Sequence, residues 1–480
     1  MENKTRFFAG FHRHLFGSRP VPAKERLARK AREADRLCLT QLGVLFGGVL
    51  PDWLRKYKTG AGANSRHATY TVLVTFWAFL SQVLDPDGCC RRAVTRVQTL
   101  CSTLGLRVPS ADTAAYCIAR ARLPMGVLLR VFSFVARRVA SRPRAGRRML
   151  VMDGTSITLA DSPRNAAAYR CAPGQKPGCG FPLMPLLGLF DLATGTLLAV
   201  AKSKARAHDA RLAWRLLRHL EKDDILIADR AFCSYAFIAA CQERGVDVIL
   251  RLHQRRNPQI GKGRRLGAGD WRVEWMRPVQ CPKGQHPATH AAQPASLPLR
   301  LVKVESRRHG YRTRELSLVT TLLAPREHSA AQIAASYLRR WQVELFFDDI
   351  KTSLGMETLR GKSPHMVARE LLMHLIAYNL VRHLMARAEV LREPEAPHTL
   401  SFKGTMDRFE QWQWTIWATP SVRQARARAE DMLAIIASDA VPRRPGRKEP
   451  RVVKRRPKSY TFMTKPRSQY IAADDLTHAA

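Results

Sequence analysis

The chain has 480 residues, 46% of them hydrophobic, which excludes a disordered polymer and leaves room for two or three packed domains. Lys and Arg total 80 against 39 Asp and Glu, a formal charge of +41, and such a surplus opposes compaction until a polyanion neutralises it. Nucleic acid is therefore the expected partner, ahead of an anionic membrane surface, since no apolar run is long enough to span a bilayer.

The first residues, MENKTRFFAGFHRHLFG, have no uninterrupted apolar core followed by a small-residue cleavage site, so no secretory signal is expected. Residues 1–35 read as a basic arm. Residues 36–145 show helical periodicity, with apolar stretches at 71–84 and 126–140 and breaks at 85–88 and near 109. The segment SADTAAYCIARARLP (110–124) opens with a cap-like Ser-x-x-Thr and continues helically.

At Arg147 the texture changes. MLVMDGTSITLA (149–160) is an apolar strand with Asp153 inside it. PLLGLF and TLLAVAKS flank the turn DLATG and predict a hairpin. A helix (208–220), a short strand ending at Asp229, a helix closed by Gly245 and a further strand (246–252) follow. That order predicts an α/β domain over 146–391, with a hairpin first and crossovers after it. Residues 253–325 are basic and strand-like, a β-rich insertion. Helical pattern resumes over 329–357 and again over 366–391, and 392–480 form a helical region with a Pro-rich cationic tail.

Ten cysteines do not form a disulfide framework, which fits a reducing cytoplasm. Cys38, Cys101, Cys117 and Cys241 read as core thiols. Cys171 with Cys179, and Cys281 with His286 and His290, lack the paired spacing of a zinc site.

Three carboxylates stand out. Asp153 interrupts one apolar strand and Asp229 ends another, where an unpaired charge is costly. Strand ends of α/β sheets are also where sites form. Asp229 equally suits a helix N-cap. On the helix after the insertion, Tyr337, Arg340, Glu344 and Lys351 are offset by three, four and seven residues, which puts them in a stripe about 60° wide. A carboxylate flanked by cations suits a held metal with phosphates gripped beside it; a solvated face with the (i, i+4) pair Arg340–Glu344 is the plain alternative. Asp348 shares that face, and geometry alone does not choose between it and Glu344.

The run YLRRWQVELFFDDIK (337–351) resembles the Y-(2)-R-(3)-E-(6)-K signature of DDE transposases from bacterial insertion sequences. MDGT (152–155) and ADRAF (228–232) are similar to the surroundings of that family's two aspartates. The resemblance implies a ribonuclease-H-like catalytic core with an inserted β-rich subdomain, preceded by a helical DNA-binding domain. It selects Glu344 over Asp348 and implies that Asp153, Asp229 and Glu344 bind two Mg²⁺ ions, with Mn²⁺ able to substitute. It implies that Tyr337, Arg340 and Lys351 hold the phosphates of the element end, and that Trp271 or Trp275 of the insertion stacks on a flipped base; Arg230 joins this DNA-binding set. The expected function is binding of the terminal inverted repeats, metal-dependent cleavage and strand transfer on double-stranded DNA by a homodimer in the bacterial cytoplasm. A two-metal nuclease that never joins ends, a non-catalytic repressor of the element and an RNA-binding protein are the alternatives.

Overall fold

A computed structural model describes residues 23–55, 69–140, 146–171, 178–204, 209–253, 263–282, 285–305, 315–392 and 400–441, with a few single positions besides. Residues 1–22 of the expected arm and residues 442–462 of the cationic tail lie outside the described residues. The chain forms two compact units, Met1–Val127 with Trp412–Ala429, and Leu128–Gln411 with Glu430–Ala480.

The first unit is helical: α1 (Ala23–Phe46), α2 (Val72–Val83), α3 (Cys90–Thr103) and α4 (Ala114–Arg122). Helix α2 is apolar on nearly every face and is buried, so the amphipathic helices pack around it. Tyr116 of α4 is buried and donates to Gln82 of α2 at 2.7 Å. Arg120 donates to the same amide oxygen at 3.0 Å and lies over the Phe79 ring. The expected cap of α4 is replaced by Asp112, whose carboxylate accepts from the Ala114 N–H at 3.1 Å; Thr113 makes no capping bond. Cys38 and Cys101 are buried as expected, whereas Cys117 is only half-buried.

The second unit holds one large mixed sheet flanked by helices, among them α5 (Pro163–Ala168), α6 (Asp209–Leu216) and α7 (Tyr235–Glu243). Its strands are β1 (Met149–Leu159), β2 (Leu183–Asp191), β3 (Leu197–Lys202), β4 (Ile225–Ala228), β5 (Asp247–Arg251), β6 (Arg264–Gly267), β7 (Asp270–Met276), β8 (Ser296–Glu305), β9 (Glu315–Thr320) and β10 (Thr358–Leu359). The order is β3-β2-β1-β4-β5-β9-β8-β7-β6, with β10 on β1. β1, β4 and β5 run parallel, and the remaining neighbours on this path are antiparallel. β4 and β5 are continuous apolar runs because both of their faces are covered. The strands after Arg251 build no separate sheet; β9 pairs with β5 and carries β8, β7 and β6 outward along the same sheet.

That extension carries one deeply buried charge. Arg300 on β8 is 1% exposed and pairs with Asp270 through two hydrogen bonds of 2.8 and 2.5 Å. Its remaining donors reach the backbone oxygens of His328 (2.5 Å) and Leu322 (3.4 Å). Such a pair is costly to break from one side, because the partner stays buried and charged. Asp270→Ala is expected to destabilise the chain by about 3–5 kcal/mol in chemical denaturation, and Asp270→Leu combined with Arg300→Met to recover most of that loss.

Candidate active site

β1 is flanked by β2 along nearly its whole length. On its other side β4 covers residues 149–152 and β10 covers residues 158–159. Among the described residues the stretch from Asp153 to Ile157 has no strand partner on that side, which leaves a notch in the sheet. The last β1–β4 pair is Met152 with Ala228, so Asp153 and Asp229 are the next residue on each strand. The two carboxylates thus flank the point where β4 ends beside β1, Asp153 within its strand and Asp229 just past the end of the other.

Asp153 is half-buried. Its Oδ1 accepts from the Gly154 N–H at 2.8 Å and its Oδ2 from Arg340 at 2.7 Å. Burial pushes its pKa up, Arg340 and the Gly154 N–H oppose that rise, and the charge of Asp229 adds to it. Asp229 occupies an N-cap position, yet its side chain makes no capping bond to the turn after it. The N-cap reading of that carboxylate therefore falls away.

The helix expected over 329–357 is segmented. Helix α8 (Ala330–Leu338) opens with a capping box of Ser329 and Gln332. A 3-10 turn follows at Arg339–Trp341, then α9 (Gln342–Asp348), then a π turn at Asp349–Ser353. The first turn overwinds the chain and the second underwinds it, so their angular offsets oppose one another. Arg340 sits in the tight turn. Its guanidinium binds Asp153 and lies 3.6 Å from an oxygen of Glu344, which is itself exposed. Burial pulls the Arg340 pKa down, but Tyr337, Asp153, Asp229 and Glu344 together raise it. Tyr337 is buried and hydrogen-bonded to Arg340; burial pushes its phenol up to about 12, so it stays a neutral donor. Asp348, which geometry alone left level with Glu344, instead accepts from the Thr352 hydroxyl of its own helix at 2.7 Å.

Arg340 is thus the meeting point of the carboxylate set. Among the described residues no three carboxylate, thiol or imidazole groups are gathered closely enough to hold a metal ion. The donor chemistry nevertheless suits a hard divalent cation: the oxygens are carboxylates, they face one another's field, and a cationic guanidinium already compensates them. The carboxylates with that chemistry are Asp153, Asp229 and Glu344.

Comparison with known proteins decides the family. The transposase DDE domain matches residues 144–380, the stretch that holds the notch and the Glu344 helix. The chain belongs to the DDE transposases of bacterial insertion sequences. It is 26% identical to transposase InsG for insertion sequence element IS4 of Escherichia coli (strain K12) over 403 residues, which cover 82% of this chain and 88% of that protein. It is 27% identical to the transposase for insertion sequence element IS421 of Escherichia coli over 270 residues, covering 49% and 66%. A solved piggyBac transposase synaptic complex with hairpin DNA covers 82% of this chain and 85% of its own, at 11% identity and a TM-score of 0.42, a likeness too loose to bear on the site. The chain is accordingly an enzyme that cleaves DNA and transfers strands, of a family that works with divalent metal ions.

The transposase places its other expected site residues unevenly. Lys351 lies half-buried in the π turn. Arg230 directly follows Asp229 and is exposed. Trp271 and Trp275 are partly buried on β7 and pack against the core of the sheet. Lys303 approaches the Trp271 ring at 6.0 Å, and Tyr235 meets Trp275 edge-on at 6.2 Å. Both indoles are therefore engaged in packing in this state. The Cys281 thiol points to the Gln285 carbonyl at 3.4 Å, and no zinc set forms among the described residues. Sequence reasoning missed Arg251, the cation at the end of β5, whose charge opposes the rise of the Tyr337 pKa. A charged residue closing an apolar strand, as Asp229 does, was the available signal.

The raised pKa of Asp153 has a stability consequence. A group whose folded pKa exceeds its unfolded value of about 3.9 stabilises the fold only while protonated, and that contribution is lost as pH rises through the folded pKa. Ionised Asp153 therefore costs stability at neutral pH. Asp153→Asn is expected to melt higher than the parent at pH 7, by roughly 2 °C, with the gap closing towards pH 4 in scanning calorimetry.

Proposed function

We propose that this transposase binds the terminal inverted repeats of its element and cuts and joins DNA at the notch beside β1, using Asp153, Asp229 and Glu344. The observation that carries this reading is the convergence of Asp153 and Glu344 on Arg340, with Asp229 within the same field. The segment order β3-β2-β1-β4-β5, with two parallel crossovers after an antiparallel hairpin, supports a ribonuclease-H-like core. The strands β6–β9 are the insertion, the helical unit is the DNA-binding domain, and the arm and tail add cationic reach. Thirteen arginines and one acidic residue, Asp112, fall between Gly88 and Met152, which supports phosphate contact by the segment that precedes the catalytic core.

In this reading Asp153, Asp229 and Glu344 hold two Mg²⁺ ions, with Mn²⁺ able to replace them. When bound, these ions activate the attacking oxygen and stabilise the leaving one. Arg340 releases Asp153 and turns to a phosphate of the end strand, where its planar fork makes charge-assisted hydrogen bonds. Tyr337, neutral at physiological pH, donates a hydrogen bond to phosphate and forms no covalent link to DNA. Lys351 supplies a second cation one π turn beyond Glu344. Water attacks first and the freed 3′-hydroxyl second, so no protein nucleophile is required. Two copies of the chain hold two element ends, and the reaction takes place on DNA in the bacterial cytoplasm. No helix among the described residues is long and apolar enough to cross a membrane.

Labelled duplex ending in the inverted repeat that flanks the gene tests this directly. The parent protein with Mg²⁺ is expected to cut at the repeat boundary and to yield joined product with a target duplex. Chelator should abolish both, and Glu344→Gln should slow cutting on the order of 10³-fold while still binding the duplex. Unchanged cutting by Glu344→Gln would overturn the assignment. Tight binding with no cutting under any metal would return the chain to a non-catalytic DNA-binding role.

A further inference from the structure

Most of the grip on the Glu344 helix lies outside the site. Helix α10 (Pro364–Glu389) runs behind it and presents Tyr378, Asn379 and Arg382 within little more than one helical turn. All three are buried, and all three are bonded. The Tyr378 hydroxyl donates to the Gly195 carbonyl at 2.6 Å. Asn379 closes a two-way bridge to the backbone of Leu197, accepting from its N–H at 3.0 Å and donating to its carbonyl at 2.9 Å. Arg382 donates to the Tyr378 oxygen at 3.0 Å and to Asp349 at 2.6 Å, and its guanidinium lies 4.8 Å from the Phe346 ring centroid. From the other side Arg339 donates to the Leu192 carbonyl at 3.4 Å. One polar network thus joins the tip of the β2–β3 hairpin, α10 and the helix that bears Glu344 and Lys351.

The hairpin tip is shaped to admit that arginine. The Asp191 carboxylate accepts from the Ala193 N–H at 2.8 Å, and Gly195 takes φ +71°. A Cβ on Gly195 would stand 2.9 Å from Cζ of Arg382 and 3.0 Å from the Phe346 ring. Gly195 is therefore needed both for its backbone angle and for the space Arg382 fills.

Asp349 is the first residue of the π turn that follows the Glu344 helix and carries Lys351 as its third residue. On a plain α-helix an offset of seven spans about two full turns, so both side chains would share a face. A π turn displaces everything beyond it, so its position along the chain decides where Lys351 points relative to Glu344. A buried ion pair is a poor stabiliser compared with an apolar pair of the same volume, but it selects one register over its neighbours. Sliding the π turn so that Ile350 met Arg382 would leave the buried guanidinium unpaired, whereas the opposite slip would exchange Asp349 for Asp348 and cost Asp348 its bond to Thr352.

We infer that Arg382 is a positioning residue for strand cutting: through Asp349 it pins the π turn that sets Lys351 against Glu344. The inference rests on the proposed roles of Glu344 and Lys351. Two readouts on Arg382→Lys separate its failure from theirs, and Asp349→Asn serves as the second variant if Arg382→Lys does not fold. In hydrogen exchange on the free protein, amides of residues 342–353 and 192–197 are expected to exchange about tenfold faster or more than in the parent, with β4 and β5 unchanged. In cleavage of the flanking-repeat duplex, the rate at saturating DNA should fall about tenfold or more, and the Mg²⁺ concentration for half-maximal rate should rise, with duplex affinity little changed. A lower active fraction alone would leave that Mg²⁺ midpoint where it was. Exchange that stays at parental rates over 342–353 overturns the brace. Faster exchange with an unaltered rate and Mg²⁺ midpoint overturns its positioning role. A parent protein that binds the duplex but never cuts it overturns the proposed function instead, and the exchange result then judges the brace by itself.

Discussion

The contact on which the site depends is the ion pair between Asp153 and Arg340. It joins a strand-borne carboxylate to a helix-borne guanidinium 187 residues away in sequence. Without it, two aspartates at the ends of parallel strands would face each other uncompensated, half out of water. With it, the Glu344 helix is drawn over the one stretch of β1 that β4 and β10 leave open. The notch, the charge and the helix thus define one another. The fold supplies the notch by making β1 longer than the parallel strand beside it.

The same pair accounts for the chemistry. A cluster of carboxylates that held its full charge in the free protein would be costly, and a guanidinium keeps that cost down until DNA arrives. Phosphate offers Arg340 a competing planar acceptor pair, and the carboxylates it releases are hard oxygen donors suited to divalent ions. In the proposed mechanism, grip on DNA and readiness for metal are coupled through Arg340. Tyr337 stays protonated because it is buried, so in the proposed mechanism it donates a hydrogen bond and does not act as a nucleophile.

Much of this was legible in the residues. Asp153 and Asp229 stand out because charge is rare inside or at the end of apolar strands, and the four-residue spacing on the later helix points to one functional face. Hairpin, crossovers and the order of the first five strands follow from period and turn chemistry. Other features were not legible, for physical reasons. The helix was expected to be straight, because a 3-10 turn and a π turn leave no mark on hydrophobic periodicity when their offsets oppose each other. The insertion was expected to be β-rich, but local pattern says nothing of which strand β9 pairs with. The packing of Trp271 and Trp275 against the sheet was not legible either, because which residues of a strand face the core depends on its partners. Arg382 gave no signal at all: one of three arginines in its helix, it earns meaning only from the hairpin and the helix it joins.

The central claim is that three carboxylates far apart in sequence hold one divalent centre. Metal-directed backbone cleavage tests it most directly. Fe²⁺ is loaded in place of Mg²⁺ in the presence of the flanking-repeat duplex, peroxide and ascorbate are added, and the protein fragments are mapped by mass spectrometry. The account predicts cuts clustered around residues 153, 229 and 344 together, suppressed by excess Mg²⁺ and lost in Glu344→Gln. Cuts at one of these places without the others, or clustered instead around Cys281 and His290, would contradict it.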